Sequence, residues 1–287
     1  MSTTIPALRS NQEVNHHDEL KIGGVTFPSR LLMGSGRFDS LEIMRDALSA
    51  SGTGLVTFAI RRERLHDAGG RNLIDFLELE RYQLLPNTSG CFDAESAVRC
   101  ARMGREILRS LGSGTQDFVK LEVLGDSKTL LPDPISTVQA AEQLVSEGFQ
   151  VLCYVTDDPI LSRRLFQAGV AAVMPAGSPI GSGMGVVNPI HIRAIVDDLK
   201  GRNSEFPIIV DAGIGTASDA VRAMELGVDA VLLNSAVAKA KSPVLMAKAM
   251  KNAVIAGRDA FAAGRMTASR FASASSPEFG LIGGKSG

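Results

Sequence analysis

From about residue 30 onwards, short aliphatic runs alternate with longer segments whose apolar residues recur with a helical period. The short runs are typical of buried parallel strands, and the longer segments are typical of amphipathic helices. Strands are predicted at residues 31–33, 55–60, 83–86, 118–124, 151–154, 172–174, 208–211 and 230–233. Helices are predicted at residues 40–49, 74–80, 94–111, 135–147, 158–167, 189–200, 217–226 and 243–263.

Eight strand–helix units in about 230 residues predict an α/β fold, a single (β/α)8 TIM barrel. An open doubly wound sheet is the alternative, but such sheets usually have fewer strands. No linker or change of composition interrupts residues 20–265, so these residues are predicted to form one barrel domain. Residues 1–19 are predicted to be a polar N-terminal arm, and residues 266–287 a flexible C-terminal tail rich in Ser, Ala and Gly.

The composition is that of an ordinary globular protein, with 45% hydrophobic and 21% charged residues and a net charge of −1. This balance gives no electrostatic reason to expect binding to nucleic acid or to an anionic membrane surface. No apolar run approaches the roughly 20 residues that span a bilayer. Cys91, Cys100 and Cys153 form no CxxC pair and have no histidine at metal-ligand spacing. We therefore predict a cytoplasmic protein without a metal site.

The predicted strand at residues 118–124, with the sequence FVKLEVL, carries two charges among apolar residues. Because strand side chains alternate between faces, Lys120 and Glu122 share the face of Phe118 and point into the predicted barrel. Burying an ammonium or a carboxylate costs several kcal/mol unless the charge is paired or neutralised. The pair therefore indicates either catalytic chemistry or a structural ion pair inside the barrel.

Loops that follow the predicted strands lie at the end of the barrel where reactive groups gather. Residues 211–215 (DAGIG) and 234–236 (NSA) follow the seventh and eighth strands, the usual place of a barrel phosphate site. Their glycines can also serve tight turns alone. Residues 177–185 contain four glycines, which indicates either a backbone-lined ligand surface or an ordinary flexible loop.

Two further loops carry polar residues that are open to two interpretations. Residues 86–90 (PNTSG) offer hydrogen-bond donors for a ligand, but the same residues favour turns and helix caps. Arg61 and Arg62 follow the second strand and face either an anion or solvent. Asp211 ends an aliphatic strand, where a carboxylate acts either as an acid/base group or as a cap for the loop.

A lysine inside a barrel and near a phosphate site indicates an imine with the carbonyl of a phosphosugar. The amine must be neutral to attack, and burial favours that neutral form. Glu122 and Asp211 can then move protons during imine formation and enolisation. The residues alone therefore predict a Schiff-base enzyme that acts on a sugar phosphate and needs neither a metal nor an organic cofactor.

The same segments closely resemble the thiazole synthase family, which builds the thiazole phosphate half of thiamine. The matching runs are SRLLMGSG (29–36), FAIRR (58–62), LLPNT (84–88), VKLEV (119–123), LLPDP (130–134), SPIGSG (178–183), VDAGIG (210–215), LLNSA (232–236) and ASSP (274–277). They occur in order over nearly the whole chain. Nine ordered matches are far more specific than any single glycine-rich loop.

The resemblance implies roles for the candidate residues. It implies that Lys120 forms the imine with the ketone of 1-deoxy-D-xylulose 5-phosphate, and that Glu122 and Asp211 are the acid/base carboxylates beside it. The positions that it implies for binding the sugar phosphate are Gly181, Ala212, Gly213, Asn234 and Ser235.

The resemblance also implies partners. Sulfur is expected from the C-terminal thiocarboxylate of a ubiquitin-like sulfur-carrier protein, and dehydroglycine (2-iminoacetate) from a separate enzyme. The expected activity is that of a sulfur-transferring transferase, and the expected assembly is a homo-oligomer, a tetramer. Two alternatives stay open: another lysine-imine phosphosugar enzyme of the aldolase kind, and a non-catalytic phosphosugar-binding barrel in which Lys120 and Glu122 form a structural ion pair.

Overall fold

The computed structural model describes residues 19–61, 76–77 and 79–273. Several predictions therefore fall wholly or partly outside the described residues: the N-terminal arm, the helix at residues 74–80, the matching run at residues 274–277 and Arg62. The predicted tail is described as far as residue 273.

The strands are β1 (Leu20–Ile22), β2 (Val25–Phe27), β3 (Leu31–Gly34), β4 (Leu55–Ala59), β5 (Gln83–Asn87), β6 (Phe118–Leu121), β7 (Gln150–Val155), β8 (Ala172–Pro175), β9 (Ile209–Asp211) and β10 (Ala230–Leu233). The helices are α1 (Leu41–Ser51), α2 (Ala94–Ser110), α3 (Pro134–Ser146), α4 (Pro159–Gln167), α5 (Pro189–Arg202), α6 (Ala217–Glu225), α7 (Ser235–Ala238) and α8 (Pro243–Ala263). Among these helices, none is both long and apolar enough to cross a bilayer.

Strands β3 to β10 form one parallel sheet that closes on itself. Each strand from β3 to β8 pairs with the next, and β10 pairs with both β3 and β9. Bridges from Val173 to Ile208 and from Ala176 to Asp211 join β8 to β9 and complete the circle. The predicted (β/α)8 barrel is therefore confirmed, and the open doubly wound sheet is wrong.

Strand alternation divides the core into two layers. The outward-facing strand residues pack against the helices, as Val119 and Leu121 of β6 do. The inward-facing residues fill the lower interior with a buried apolar cluster: Leu20, Ile22, Phe27, Leu32, Leu55, Leu85, Phe118, Leu152, Ala172, Met174, Ile209, Ala230 and Leu232. The rings of Phe27 and Phe118 meet edge to face within it, with their centroids 6.3 Å apart. The lower half of the barrel is consequently a packed apolar interior.

Two elements do not follow from the hydrophobic pattern. The antiparallel hairpin β1–β2 turns at Gly23 and Gly24, which both have positive φ, and it inserts three apolar side chains into the lower interior. The helix α7 follows β10 directly and has four residues. The hairpin and the single helical turn lie outside the regular alternation of strand and helix on which the prediction rests.

Strand β6 is shorter than predicted, because it ends at Leu121 instead of residue 124. The next residue, Glu122, pairs through its backbone with a side chain instead of a neighbouring strand: the Thr88 hydroxyl accepts from the Glu122 N–H and donates to the Glu122 carbonyl, both at 2.8 Å. The inward direction of Glu122 is nevertheless kept, and this matters for the site.

Helices α3, α4 and α5 begin in the same way at the carboxyl end of the barrel. Each starts with a proline after a residue whose side chain accepts a hydrogen bond from the first turn, namely Asp133, Asp158 and Asn188. Proline suits this position because its missing N–H would have had no partner there. The capped first turns of these three helices determine where the preceding loops end around the mouth of the barrel.

Candidate active site

Three ionisable side chains meet in the upper layer of the barrel interior. The Nζ atom of Lys120 lies 2.7 Å from Asp211 Oδ2 and 3.1 Å from Glu122 Oε1. The three side chains are between 4% and 7% exposed. Lys120 comes from β6, Glu122 from the residue just after it and Asp211 from the end of β9. The barrel thus places a buried lysine between two buried carboxylates, and it joins the two strands that the sequence analysis singled out.

The charges of this cluster set its protonation. Burial alone lowers the pKa of the Lys120 ammonium, but the negative charges of Asp211 and then Glu122 outweigh burial and raise that pKa above the usual lysine value. Burial raises the pKa of Asp211, against the pull of the Lys120 charge. The resting site therefore holds a protonated lysine next to a carboxylate that is prepared to accept its proton.

The loop at residues 86–90 supports this cluster from below and beside it. Thr88 is fully buried, and its two hydrogen bonds to the backbone of Glu122 hold that residue at the end of β6. Asn87 Nδ2 donates to Thr57 Oγ1 at 3.0 Å, which ties β5 to β4. Ser89 and Gly90 line the cavity above. The loop therefore positions catalytic candidates and also faces the ligand space.

Tyr154 is a neighbour of the cluster that the sequence analysis missed. It is fully buried on β7, and its ring centroid lies 5.8 Å from Lys120 Nζ. Its hydroxyl has no hydrogen-bond partner among the described residues. Burial, and then the charges of Asp211 and Glu122, raise the pKa of Tyr154, so the phenol stays neutral. The sequence contained a signal for Tyr154: it lies two residues after the inward-facing Leu152 on the same strand, so its side chain points inward as well.

A cavity of about 1000 Å³ opens above the cluster at the carboxyl ends of the strands. The eight residues to which the family resemblance gives catalytic or phosphosugar-binding roles all line this cavity: Lys120, Glu122, Asp211, Gly181, Ala212, Gly213, Asn234 and Ser235. Arg61 does not belong to this lining; it is exposed and donates to the Gly90 carbonyl at 2.7 Å. The structure thus brings eight predicted residues around one space and leaves Arg61 outside it.

One side of the cavity is formed by the glycine-rich loop that follows β9. Ala212 and Gly213 have φ values of 64° and 79°, in the left-handed region, and the Ala212 N–H donates to the Asp211 carboxylate. At Gly213 a Cβ atom would lie 2.1 Å from Ser178 Oγ, so a larger residue does not fit. A Cβ atom on Gly181 would lie 4.0 Å from Ser235 Oγ, which places the loop after β8 close to the end of β10.

Asn234 links this side to the loop after β3. Its Nδ2 donates to the Gly36 carbonyl at 2.8 Å. Its Oδ1 is buried and has no hydrogen-bond partner among the described residues. An acceptor without a partner on the cavity wall can bind a hydroxyl group of a ligand.

The described residues contain no group of three or more His, Cys, Asp or Glu side chains placed to hold a metal ion. Cys91, Cys100 and Cys153 are buried and unbridged. Burial raises the pKa of the Cys153 thiol, which therefore stays protonated.

Comparison with known proteins identifies the family. A family model described as thiazole biosynthesis protein ThiG matches residues 21–277. The chain belongs to the thiazole synthase family. The thiazole synthase of Rhodopirellula baltica is 58% identical over 263 residues, which are 92% of this chain and 92% of that protein. The thiazole synthase of Stenotrophomonas maltophilia is 54% identical over 267 residues, covering 93% of this chain and 97% of that protein.

One solved structure is similar to this chain in both sequence and fold. The chain is similar to the crystal structure of the Amycolatopsis orientalis BexX/CysO complex, with 36% identity and a TM-score of 0.76. The match covers 87% of this chain and 98% of that chain. The family that the nine sequence runs indicated is thereby confirmed.

Proposed function

We propose that this thiazole synthase joins 1-deoxy-D-xylulose 5-phosphate, dehydroglycine and sulfur into the thiazole phosphate carboxylate, and that Lys120 forms a Schiff base with the sugar ketone. The observation that carries the proposal is Lys120 itself, buried between Glu122 and Asp211 under a cavity that Gly213, Asn234 and Ser235 also line. The lysine supplies the electrophilic catalysis, so the proposed reaction requires neither a metal nor an organic cofactor.

Asp211 and Glu122 provide the proton transfers. Asp211 accepts a proton from the Lys120 ammonium, and the free amine attacks the ketone carbon to give a carbinolamine. Return of that proton to the hydroxyl group expels water and leaves the protonated imine. A carboxylate then removes the proton from the neighbouring carbon, which produces an enamine and, after reprotonation, the keto-amine. The short Lys120 contacts to both carboxylates support these transfers.

Sulfur and nitrogen enter after the imine. The proposed sulfur donor is the C-terminal thiocarboxylate of a ubiquitin-like sulfur-carrier protein, so the enzyme is a transferase. Dehydroglycine from a separate enzyme then supplies nitrogen and closes the ring. The cavity, at about 1000 Å³, is at the upper end of the usual range for small-molecule sites and leaves space beside a five-carbon sugar phosphate. The solved BexX/CysO complex supports a protein partner.

The decisive experiment is borohydride trapping followed by intact and peptide mass spectrometry. With 1-deoxy-D-xylulose 5-phosphate and borohydride, we expect a stable adduct on Lys120. Lys120→Arg is expected to give none, because a guanidinium stays protonated and cannot form the imine. Lys248→Arg, on the outer helix α8, is the matched control and should be trapped like the wild type.

Two results would replace the proposal by one of the alternatives. Phosphosugar binding without any adduct would leave a non-catalytic barrel in which Lys120 and Glu122 form a structural ion pair. An adduct whose turnover does not depend on a thiocarboxylated carrier would indicate a lysine-imine enzyme of the aldolase kind.

We propose a homo-oligomer, a tetramer, as the assembly in which the carrier is bound. Exposed apolar side chains at the carboxyl rim of the barrel, such as Ile135, Ile160 and Ile190, are compatible with contacts between proteins. Multi-angle light scattering measures the mass directly, and a purely monomeric protein would refute this proposal.

A further inference from the structure

The cavity has to accept more negative charge than its inner cluster can balance. In the proposed function, which this inference extends, a sugar phosphate, an α-imino carboxylate and a thiocarboxylate all approach Lys120. The amine of Lys120 is itself consumed in the imine. Among the described residues that line the cavity, the other basic side chains are those of Arg37 and Lys239. The positions of these two cations therefore bear on how the anionic reactants are distinguished.

Arg37 occupies a backbone conformation that glycine would adopt more readily. Its φ is 68°, in the left-handed region that costs a residue with a side chain conformational energy. A strained conformation that persists outside glycine indicates that the side chain has a use. The Arg37 side chain is exposed and forms no hydrogen bond or ion pair with any described residue. Its charge is therefore available to a ligand in the cavity.

The residues around Arg37 hold it in a fixed turn. The Ser35 N–H and hydroxyl both donate to the Thr57 carbonyl, at 3.0 and 3.1 Å. The Gly36 carbonyl accepts from Asn234 Nδ2 at 2.8 Å. After the turn, the Ser40 hydroxyl caps α1 by accepting from the Ile43 N–H at 3.2 Å. The anchored turn fixes the position from which the Arg37 side chain extends, so little backbone freedom is lost when a ligand arrives.

Arg37 approaches the cavity from β3, beside Asn234, whose Nδ2 donates to the Gly36 carbonyl, and the loop at Ala212 and Gly213 lies further around the barrel. The amides at Ala212 and Gly213 follow β9, whereas Arg37 follows β3, two strands further around the barrel. Two strand spacings amount to about 10 Å. Lys239 comes one turn after Ser235 and is therefore the cation adjacent to a position implied for the sugar phosphate. The planar guanidinium of Arg37 matches a carboxylate by two parallel hydrogen bonds.

We propose that Arg37 binds the carboxylate of the α-imino acid co-substrate, so that the cavity contains a carboxylate subsite separate from the place of the sugar phosphate. The subsite orients the imino nitrogen towards the sugar carbons held on Lys120. Arg37 is thus a specificity-determining residue for the second reactant and takes no part in forming the imine.

The test compares three variants of the full chain in two assays. Arg37→Asn removes the charge and tolerates the left-handed conformation, Arg37→Lys keeps the charge, and Arg164→Gln changes an exposed arginine on the outer helix α4 as a control. The first assay is borohydride trapping of 1-deoxy-D-xylulose 5-phosphate. The second is thiazole formation with the imino acid generated from glyoxylate and ammonium, titrated separately against imino acid and against carrier.

For Arg37→Asn we expect the half-saturating concentration of imino acid to rise about tenfold or more, with unchanged trapping and an unchanged dependence on carrier. Arg37→Lys is expected to recover part of the loss, and the thermal midpoint of Arg37→Asn is expected not to fall. Arg164→Gln should match the wild type in every assay.

Different results would overturn the proposal in recognisable ways. A rise in the phosphosugar concentration needed for trapping would assign Arg37 to the phosphate, and a rise in the carrier requirement would assign it to the thiocarboxylate. An unchanged imino acid dependence would show that no such subsite exists. A wild-type protein that is not trapped at all would refute the proposed function, and the subsite with it.

Discussion

Lys120 rests as an ammonium ion although an amine is needed for the proposed attack. The two carboxylates that raise its pKa are also the groups that can remove its proton, so the same contacts protect the resting site and start the reaction. The sequence was sufficient to predict this cluster, because strand alternation places Lys120 and Glu122 on one face and Asp211 at a strand end. The contribution of Arg37 could not be predicted in this way, because it depends on a backbone angle that no pattern of residue types encodes.

The first prediction at this scale concerns the pH dependence of trapping. In Glu122→Gln one negative charge beside Lys120 disappears, so the pKa of Lys120 falls and the neutral amine becomes available at lower pH. The pH midpoint of borohydride trapping is expected to shift downwards relative to the wild type. Glu106→Gln, an exposed residue on α2 that pairs with Arg109, is the control and should leave the midpoint in place. An unchanged midpoint in Glu122→Gln would contradict the pKa argument.

The second prediction concerns stability. Lys120→Met leaves buried Asp211 without its cation, which is expected to lower the free energy of unfolding by about 3–5 kcal/mol at pH 7.5. The pKa of Asp211 is raised by burial, so the folded variant takes up a proton that the unfolded chain does not, and the deficit shrinks as the pH falls towards 5. Urea unfolding at pH 7.5 and at pH 5 measures the free energy of unfolding of the variant and of the wild type.

The control for that measurement is Arg193→Gln, which breaks an exposed pair with Asp197 at 2.8 Å. Its loss is expected to stay within about 0.5 kcal/mol at either pH. A deficit of Lys120→Met that is equal at both pH values would mean that lost packing, and not the unpaired charge, is responsible.

Secondary structure elements position the site through close contacts between their loops. A Cβ atom on Gly215 would lie 2.5 Å from the Gly183 carbonyl oxygen, so the loop after β9 can approach the loop after β8 this closely only because residue 215 is glycine. The sequence predicted the eight barrel strands to within a few residues, since each is a short aliphatic run between helices. It did not predict the end of β6 or the hairpin β1–β2, which depend on the Thr88 hydroxyl and on burial from a distant part of the chain.

The prediction at this scale is that Gly215→Ala displaces the loop after β8 and weakens phosphosugar binding. A displacement of about 1 Å can reduce catalysis on the order of a hundredfold, so the half-saturating phosphosugar concentration in the trapping assay should rise at least tenfold. Gly201→Ala is the matched control, because a Cβ atom at Gly201 of α5 has nothing within 4 Å. If both variants are trapped equally well, the contact between the loops does not shape the site.

Across the whole molecule, apolar packing and polar chemistry are separated along the barrel axis. The hairpin β1–β2 and the inward-facing strand residues fill the lower interior, while the charged cluster and the cavity lie at the carboxyl end. The sequence predicted the barrel from its eight repeats, and the family resemblance agrees with it. The closure of the lower end was not predicted, because three of the side chains that fill it come from the hairpin β1–β2, which precedes the strand–helix repeats.

Phe27→Ala tests how much this filling contributes to stability. Phe27 is 1% exposed and packs against Phe118, so its truncation leaves a cavity in a region that cannot collapse easily. A loss of about 3–5 kcal/mol in the free energy of unfolding is expected by urea denaturation. Phe271→Ala is the control, since Phe271 is 84% exposed and should lose little. Equal losses would show that the hairpin is not part of the cooperative core.

Among the described residues, the packed lower interior fills one end of the barrel, and the cavity opens at the carboxyl end of the strands. In the proposed reaction the sugar, the imino acid, the carrier terminus and the finished ring all pass through that opening. They cannot pass through it at the same time. A carrier that arrives first would block the sugar from reaching Lys120, whereas a sugar already held as an imine cannot escape past an inserted carrier. The architecture therefore imposes an order on turnover, and premixing the enzyme with excess carrier should delay the first product.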